Sequence, residues 1–284
     1  GSFFPLEDYE NCNYVMLWGK NPFGAPRVMT LIRELIAAKE RGAKLVVIDP
    51  RLSKTAEKAD EWIPIKPGTD GAMALAMAKV IIDEELYDRE FTAKYCYGFD
   101  KFRDHLSAKG YTPEWAEGIT AVPAATIRRI AREFATNKPA ISSAYKGFAN
   151  YTNAFDSLRA VLILNAITGN LDQPGCLILS PRYSLNSPPL NPPIHVPEAE
   201  LPEIEKPPLH VAMGFPLALD LPTGLLPKAI LEGKPYPVKA VILSQINPIM
   251  SETNTKMWLE AFKAVEFAVA IEIYMSETAM YCDL

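Results

Sequence analysis

An apolar strand, an amphipathic helix and a second apolar strand follow one another near the start of the chain, and this order constrains the fold most. The run Tyr14–Trp18 has the length of a buried strand and ends at Gly19. Residues 27–41 then place apolar side chains on one helical face. Lys44–Ile48 is a second predicted buried strand, apolar from Leu45 onwards. A strand–helix–strand unit of this kind closes with a right-handed crossover into a parallel sheet.

The same pattern returns later in the chain. A third strand is predicted at Trp62–Ile65, and a mostly helical zone with one strand at Pro139–Ser143 follows it. Beyond that zone, Ala240–Ser244 and Phe267–Ile271 flank a helix and form a second strand–helix–strand unit. The sequence therefore predicts an α/β fold made of two Rossmann-like, doubly wound domains with mainly parallel sheets.

A proline-rich stretch separates the two units. Nine prolines lie between Pro181 and Pro208, and the stretch has almost no hydrophobic periodicity. We therefore predict a first Rossmann-like domain with a helical insertion over residues 1–180 and a linker over 181–210. Residues 211–284 are predicted to form part of a second domain.

Charge and hydropathy exclude two classes of partner. Basic residues number 29 and acidic residues 34, which gives a net charge of −5. A nucleic-acid surface normally shows a basic excess, so no nucleic-acid partner is expected. Apolar stretches such as Ala72–Ala78 are much shorter than the ~20 residues of a membrane span, so no direct membrane span is expected.

Cysteine and histidine are too scattered to suggest a metal site. No C-x-x-C pair occurs, and no two histidines lie at helical ligand spacing. We therefore predict no metal ligand, no disulfide framework and no catalytic residue within this chain. The cysteines and histidines of the chain are Cys12, Cys96, Cys176, Cys282, His105, His195 and His210.

Polar and glycine residues follow the predicted strands, where a doubly wound sheet binds its ligands. Glycine lets a backbone approach phosphate closely. Asp49 follows the second strand, where a carboxylate can accept hydrogen bonds from ribose, and Arg51 can contact phosphate. Asp70 precedes a helix and can accept two hydrogen bonds from a guanine edge.

An ordinary structural explanation remains open beside nucleotide binding. Glycine and proline after strands are common in turns, and Asp70 could cap the helix that begins near Gly71. The sequence contains neither G-x-G-x-x-G after the first strand nor a P-loop. A nicotinamide, flavin or P-loop site is therefore disfavoured.

Several ordered motifs resemble those of the molybdopterin oxidoreductases of the dimethyl sulfoxide reductase type. The resemblance spans Trp18 to Ala279, nearly the whole chain. The matching segments are Leu17–Pro22, Val46–Arg51 with Thr55, Ala59-Asp60, Ile65–Asp70, Arg159-Ala160, Leu164–Asn170, Pro174-Gly175, Asn247-Pro248 and Ser276–Ala279.

The resemblance implies a molybdenum or tungsten ion held between two molybdopterin guanine dinucleotides, one at the strand ends of each Rossmann-like domain. Carried over by position, one dinucleotide site would include Gly19, Asn21, Asp49, Arg51, Gly68, Thr69, Asp70 and Gly147. The other would include Asn247, Glu272, Ser276 and Thr278. Glu272 stands where the family more often has aspartate. The stretch Gly147–Asn153 is most similar to the polysulfide, thiosulfate and arsenate reductase branch.

The resemblance also implies parts that this sequence does not show. A [4Fe–4S] cluster segment and the protein ligand to the metal are expected upstream, and a closing domain is expected downstream. The chain is therefore expected to be the central domains of a catalytic subunit, truncated at both ends. Alone, it is expected to hold no cofactor and to be inactive.

The partners implied are the remaining domains, an iron–sulfur electron-transfer subunit and a small inorganic or organic substrate. A non-enzymatic nucleotide-binding or regulatory module of the same fold is the alternative.

Overall fold

The computed structural model describes residues 6–25, 29–147, 150–179, 223–234 and 236–284. The chain divides into two compact units, Gly1–Asn186 and Ser187–Leu284. The predicted linker at 181–210 lies outside the described residues, so its role as a domain boundary stays a prediction.

The first unit alternates strands and helices, with a run of five helices between its fourth and fifth strands. Its strands are β1 (Leu6–Glu7), β2 (Tyr14–Trp18), β3 (Lys44–Ile48), β4 (Glu61–Ile63), β5 (Ala140–Ala144) and β6 (Leu177–Ile178). Its helices are α1 (Met29–Glu40), α2 (Lys54–Glu57), α3 (Asp70–Asp83), α4 (Arg89–Tyr95), α5 (Phe99–Lys109), α6 (Pro113–Thr120), α7 (Ala124–Thr136) and α8 (Ala154–Ile167).

The central sheet of this unit is parallel throughout. Its strand order is β4-β3-β2-β5, and Trp18 pairs with Ile48 on one side and with Ala144 on the other. All five residues of β2 are buried, as expected for a parallel strand covered on both faces. The predicted α/β fold with a parallel sheet is confirmed.

Two apolar cores cover the two faces of the sheet. Met16, Val46 and Ile48 pack with residues of α3, α6, α7 and α8 on one face. On the other face, Val15, Leu17 and Val47 pack with residues of α1 and α2 and with Leu177 of β6. The carboxyl ends of the strands therefore lie between two helical layers.

Two asparagines protect the outer edge of β5. Asn165 accepts a hydrogen bond from the Ser142 amide at 2.8 Å and donates one to its carbonyl at 2.9 Å. Asn170 accepts from the Ala140 amide at 3.1 Å. Both asparagines belong to the Leu164–Asn170 motif. The motif therefore satisfies an edge that would otherwise present unpaired backbone groups.

The second unit contains α9 (Leu226–Glu232), β7 (Ala240–Ser244), α10 (Pro248–Ser251), α11 (Thr255–Ala264) and β8 (Phe267–Ile271). β7 and β8 are parallel, and Ala240 pairs with Phe267. The apolar core contains Val241 and Leu243 of β7 with Trp258 and Phe262 of α11.

The observed bounds differ from prediction mainly where periodicity is weak. The third strand covers Glu61–Ile63 instead of Trp62–Ile65. The antiparallel pair of β1 with β6 was not predicted, because two-residue strands show no periodicity. No helix in the described part of the chain is both long and apolar enough to cross a bilayer.

Candidate functional site

Two glycines bring the loops after β2 and β5 into backbone contact. The Gly147 amide donates a hydrogen bond to the Gly19 carbonyl at 3.1 Å. A Cβ built on Gly147 would lie 2.6 Å from the Gly19 Cα, and Gly19 has a φ of +53°. Neither position tolerates a side chain, because the atoms in the way are backbone atoms. The absence of both side chains therefore lets the two loop backbones meet at the carboxyl edge of the sheet.

Asp70 is the first residue of α3 and is 7% exposed. It does not cap the helix, because Thr69 occupies the cap position and its hydroxyl donates to the Lys66 carbonyl at 2.6 Å. Among the described residues, no other side chain donates a hydrogen bond to the Asp70 carboxylate. Burial raises the pKa of Asp70 to about 6, the bond from its own amide lowers it, and the Asp49 charge raises it. Asp70 is thus a buried acceptor beside a second carboxylate, and no side chain of the described residues donates to it.

Asp49 and Arg51 occupy the loop after β3. The Asp49 carboxylate accepts from the Arg51 amide at 2.9 Å, and its carbonyl accepts from Trp62 Nε1 at 2.8 Å. Arg51 is exposed, and no acidic side chain of the described residues forms an ion pair with it. A half-buried carboxylate and an exposed guanidinium therefore stand at the end of the strand next to β2.

The turn before α3 contacts the residues just before α8. Gly68 has a φ of +76°, and its carbonyl accepts from Asn153 Nδ2 at 3.0 Å. A Cβ on Gly68 would lie 3.1 Å from the Tyr151 ring. Sequence reasoning singled out the stretch Gly147–Asn153 but assigned no role to Tyr151 or Asn153. Their contact with Gly68 joins positions far apart in the chain, and no local pattern reports it.

Asn21 and Thr55 form a clasp between the loops after β2 and β3. Asn21 Oδ1 accepts from the Thr55 amide at 3.2 Å and from its hydroxyl at 2.8 Å. The Phe23 amide in turn donates to Thr55 Oγ1 at 3.1 Å. Thr55 is fully buried. The Asn21 side-chain oxygen thus shapes the loop.

The second unit repeats this clasp bond for bond. Asn247 Oδ1 accepts from the Thr278 amide at 3.2 Å and from its hydroxyl at 2.7 Å. The Ile249 amide donates to Thr278 Oγ1 at 3.2 Å. Asn21 and Asn247 have nearly the same backbone angles, with φ of −123° and −121°.

Residues next to the two clasps also correspond between the two units. The serines two residues before each threonine accept from backbone amides in the same way, Ser53 from Ala56 at 3.2 Å and Ser276 from Ala279 at 3.3 Å. Gln245, with a φ of +55°, occupies the place of Gly19. The structure therefore contains two equivalent loop pairs, one at the strand ends of each unit.

Glu272 directly follows β8, at the place that Asp49 has after β3. Its carboxylate accepts from the Ile273 amide at 2.8 Å, and the side chain is exposed. The structure therefore brings Asn247, Ser276 and Thr278 into one hydrogen-bonded loop pair and leaves Glu272 at its edge.

Lys20 is a buried cation that sequence reasoning did not select. Its ammonium donates to Glu7 at 2.5 Å, to the Tyr9 hydroxyl at 3.0 Å and to Ser143 Oγ at 3.1 Å. These bonds fix the segment before β2 against the carboxyl end of β5. A lysine between a glycine and an Asn-Pro turn gives no sequence signal for burial.

Cys12 lies before β2, at the amino end of the strand. Burial raises the pKa of its thiol to about 12, so the metal-binding thiolate form is disfavoured. Within the described ranges, no group of three or more His, Cys, Asp or Glu side chains is arranged to hold a metal ion.

The clasps give a prediction on local stability. Thr55→Val and Thr278→Val each remove a hydroxyl that donates to an asparagine and accepts from a backbone amide. Each is expected to destabilise its loop by about 1–3 kcal/mol. Hydrogen exchange should then be at least about tenfold faster at the amides of 21–25 or 247–251.

Thr136→Val, at an exposed hydroxyl bonded to the Arg132 carbonyl, is the control and should leave both loops unchanged. Equal exchange in all three variants would show that the clasps do not hold the loops.

Comparison with known proteins places the chain in a family. The family model described as molybdopterin oxidoreductase matches residues 3–284. The molybdopterin-containing subunit of thiosulfate reductase from Salmonella typhimurium is 34% identical over 97% of this chain and 37% of its own length. The arsenate respiratory reductase subunit of Chrysiogenes arsenatis is 30% identical over 99% of this chain and 37% of its own length.

A solved structure gives the same result. The structure of acetylene hydratase from Pelobacter acetylenicus superposes with a TM-score of 0.80 at 30% identity, over all of this chain and 41% of that one. The chain thus spans about two fifths of the length of these relatives. The family model, the relatives and the matched fold lead to one conclusion: the chain belongs to the molybdopterin oxidoreductase family.

Proposed function

We propose that this chain forms the central part of the catalytic subunit of a molybdenum or tungsten oxidoreductase, and that its two Rossmann-like units each bind one molybdopterin guanine dinucleotide. The observation that carries the proposal is Asp70. A buried carboxylate with no side-chain donor, at the carboxyl edge of a parallel sheet, suits a ligand that brings its own donors. The guanine edge offers two N–H donors side by side, and a carboxylate can accept both.

The other residues of the first site fit the same ligand. The contact of Gly19 with Gly147 fixes the two loop backbones at the strand ends, where we propose that the pyrophosphate binds. Asp49 has a carboxylate suited to ribose hydroxyls, and the exposed Arg51 is suited to phosphate. Gly68 and Thr69 shape the turn that presents Asp70, and Asn21 fixes the loop that contains Gly19.

The repeated clasp supports a second, equivalent dinucleotide site. Asn247, Ser276 and Thr278 shape its loops as Asn21, Ser53 and Thr55 shape the first. Glu272 takes the place of Asp49, with a side chain that is one methylene longer. Gln245 brings a side chain where the first unit has Gly19, so we propose that the two dinucleotides meet different surroundings.

When bound, the metal with its pterin dithiolenes supplies two-electron redox chemistry with transfer of an oxygen or sulfur atom. This chain's residues bind and orient the dinucleotides, and the rest of the longer protein supplies the metal ligand, the closing domain and the [4Fe–4S] cluster. An iron–sulfur subunit delivers electrons. Thiosulfate and arsenate, which the names of two relatives mention, exemplify the small inorganic substrates that we propose.

The proposed reaction can be tested in the full-length protein, purified anaerobically. Oxidation of reduced viologen is expected with thiosulfate, polysulfide or arsenate. Acetylene is the discriminating fourth compound, because one relative is an acetylene hydratase. Hydration of acetylene without viologen oxidation by any of the three acceptors would contradict a reductase.

A further inference from the structure

Tyr151 lies beside the turn that leads into α3, and its side chain is 39% exposed. A Cβ built on Gly68 would lie 3.1, 3.3 and 3.4 Å from three adjacent ring atoms of Tyr151, Cδ1, Cγ and Cε1. A point beyond the ring edge at Cδ1 would lie much closer to that carbon than to its two neighbours, whereas a point above the ring lies at similar distances from all three. Tyr151 therefore presents a face of its ring, and not an edge, to the backbone of Gly68.

Hydrogen bonds on both sides of this contact hold the ring in place. Asn153 Nδ2 donates to the Gly68 carbonyl at 3.0 Å, and the Ala154 amide donates to the Tyr151 carbonyl at 3.1 Å. Gly68 has a φ of +76° and no side chain, so the ring can rest directly on its backbone. A side chain that is ordered before its ligand arrives loses less conformational entropy on binding. The ring is thus pre-organised for a contact on its exposed parts.

The ring is also close to the carboxylate that we propose as the guanine acceptor. One residue separates Gly68 from Asp70, so the Cα atoms of the two are at most about 7 Å apart. The next residue, Gly71, would place a Cβ 2.8 Å from Ser157 Oγ of α8. The start of α3 therefore lies against the residues around the start of α8, and a purine held by Asp70 is within reach of Tyr151.

We propose that Tyr151 is a base-stacking residue of the first site, whose ring packs against the plane of the guanine that Asp70 accepts. One face of the ring lies on Gly68, so the base stacks on the opposite face. The proposal rests on the dinucleotide site proposed above. Every base has a π-face, so stacking supplies affinity without selecting a base. A carboxylate instead selects the base that offers two donors side by side.

Support of the turn before Asp70 is the alternative role for the ring. In that case, loss of the ring would move Asp70 and weaken the preference for guanine. Stacking predicts the opposite pattern, in which affinity falls and the preference stays. Guanosine diphosphate and inosine diphosphate separate the two roles, because hypoxanthine lacks the 2-amino group of guanine and offers Asp70 one donor fewer.

The experiment measures the dissociation constants of guanosine diphosphate and inosine diphosphate for the full-length protein, prepared free of cofactor. Tyr151→Leu and Tyr151→Met keep an apolar side chain on Gly68 but have no π-face. Both variants should bind each nucleotide about tenfold more weakly and keep the wild-type ratio of the two constants. Tyr151→Phe should bind both nucleotides as the wild type does. Tyr97→Leu, at a fully exposed ring between α4 and α5, is the control and should change neither constant.

Unchanged affinities in Tyr151→Leu and Tyr151→Met would overturn the proposal. Loss of the preference for guanosine diphosphate in these variants would also overturn it, because the ring would then act only by positioning Asp70. The guanosine monophosphate content of the cofactor-loaded protein is the second measurement, and it should fall in the same two variants and stay at the wild-type level in Tyr151→Phe. A wild type that binds neither nucleotide and contains no guanine would instead contradict the proposed function itself.

Discussion

Asp70→Asn in the full-length protein is expected to weaken binding of the guanine dinucleotide about 10- to 100-fold, because a charged acceptor is worth about 1.5–3 kcal/mol. The asparagine keeps the shape of the side chain but replaces one acceptor oxygen with an NH₂ group. That group would face the guanine donors with a donor of its own. The measurement is the guanosine monophosphate released by acid hydrolysis, per mole of purified protein.

Asp83→Asn is the matched control, since Asp83 is the last residue of the same helix and pairs with Lys79 at the surface. It should leave the nucleotide content unchanged. Full nucleotide content in Asp70→Asn, or equal losses in both variants, would remove Asp70 from the proposed site.

The same substitution has a second signature in the cofactor-free protein. Burial raises the pKa of Asp70 from 3.8 to about 6, so the folded state binds a proton more tightly than the unfolded state. The contribution of Asp70 to the free energy of unfolding is therefore greatest below pH 4, and it falls as the pH rises to about 6. Asp70→Asn removes that loss and should stabilise the apoprotein by about 1–3 kcal/mol above pH 6. The free energies of unfolding of the variant and the wild type, measured in urea at pH 4 and pH 7, give this difference. A variant less stable than the wild type at pH 7 would indicate a structural role.

Gly147→Ala should have the largest effect on the site's framework. The new Cβ would lie 2.6 Å from the Gly19 Cα and 2.8 Å from its carbonyl oxygen, so the loops after β2 and β5 must separate. Overpacking of this kind costs about 1–3 kcal/mol of stability. The displaced loops should also reduce the guanine content of the protein.

Gly118→Ala is the control, because no atom beyond its neighbours in α6 lies within 4 Å of its Cβ position. It should stabilise the protein slightly, by up to about 1 kcal/mol. A Gly147→Ala protein with wild-type stability and full cofactor content would show that the close backbone approach is unimportant.

The sequence predicted the elements whose patterns are local and strong. Tyr14–Trp18 and Leu45–Ile48 are unbroken apolar runs, and the strands Tyr14–Trp18 and Lys44–Ile48 were both found at the predicted bounds. The helices α2 and α10 were not predicted, since four residues hold little more than one turn. Their positions depend instead on the serine cap at Ser53 and on the Asn-Pro turn at Asn247.

The candidate site was predictable as a set of positions but not as a geometry. The order of motifs along the chain placed Gly19, Asp49, Asp70 and Gly147 after strands. It did not show that Gly147 touches Gly19, because strands β2 and β5 are neighbours only through the topology of the sheet. Nor did it show that Asp70 is the first residue of the helix instead of its cap. These facts depend on long-range packing, which one sequence does not report.

The sequence predicted two similar strand–helix–strand units but not which of their loop residues correspond. Asn-Pro and Ser-x-Thr-Ala occur in both, but they are separated by segments of different length and little other identity. Only the shared hydrogen bonds of Asn21 with Thr55 and of Asn247 with Thr278 make the correspondence clear.

The most direct test of the central claim is the molar ratio of guanine nucleotide to molybdenum or tungsten in the full-length protein. Metal is measured by inductively coupled plasma mass spectrometry, and guanosine monophosphate after acid release by chromatography on the same sample. If each of the two equivalent loop pairs binds one dinucleotide, as we propose, the protein should contain two guanine nucleotides for each metal ion. A ratio of one, or nucleotide without either metal, would contradict the account.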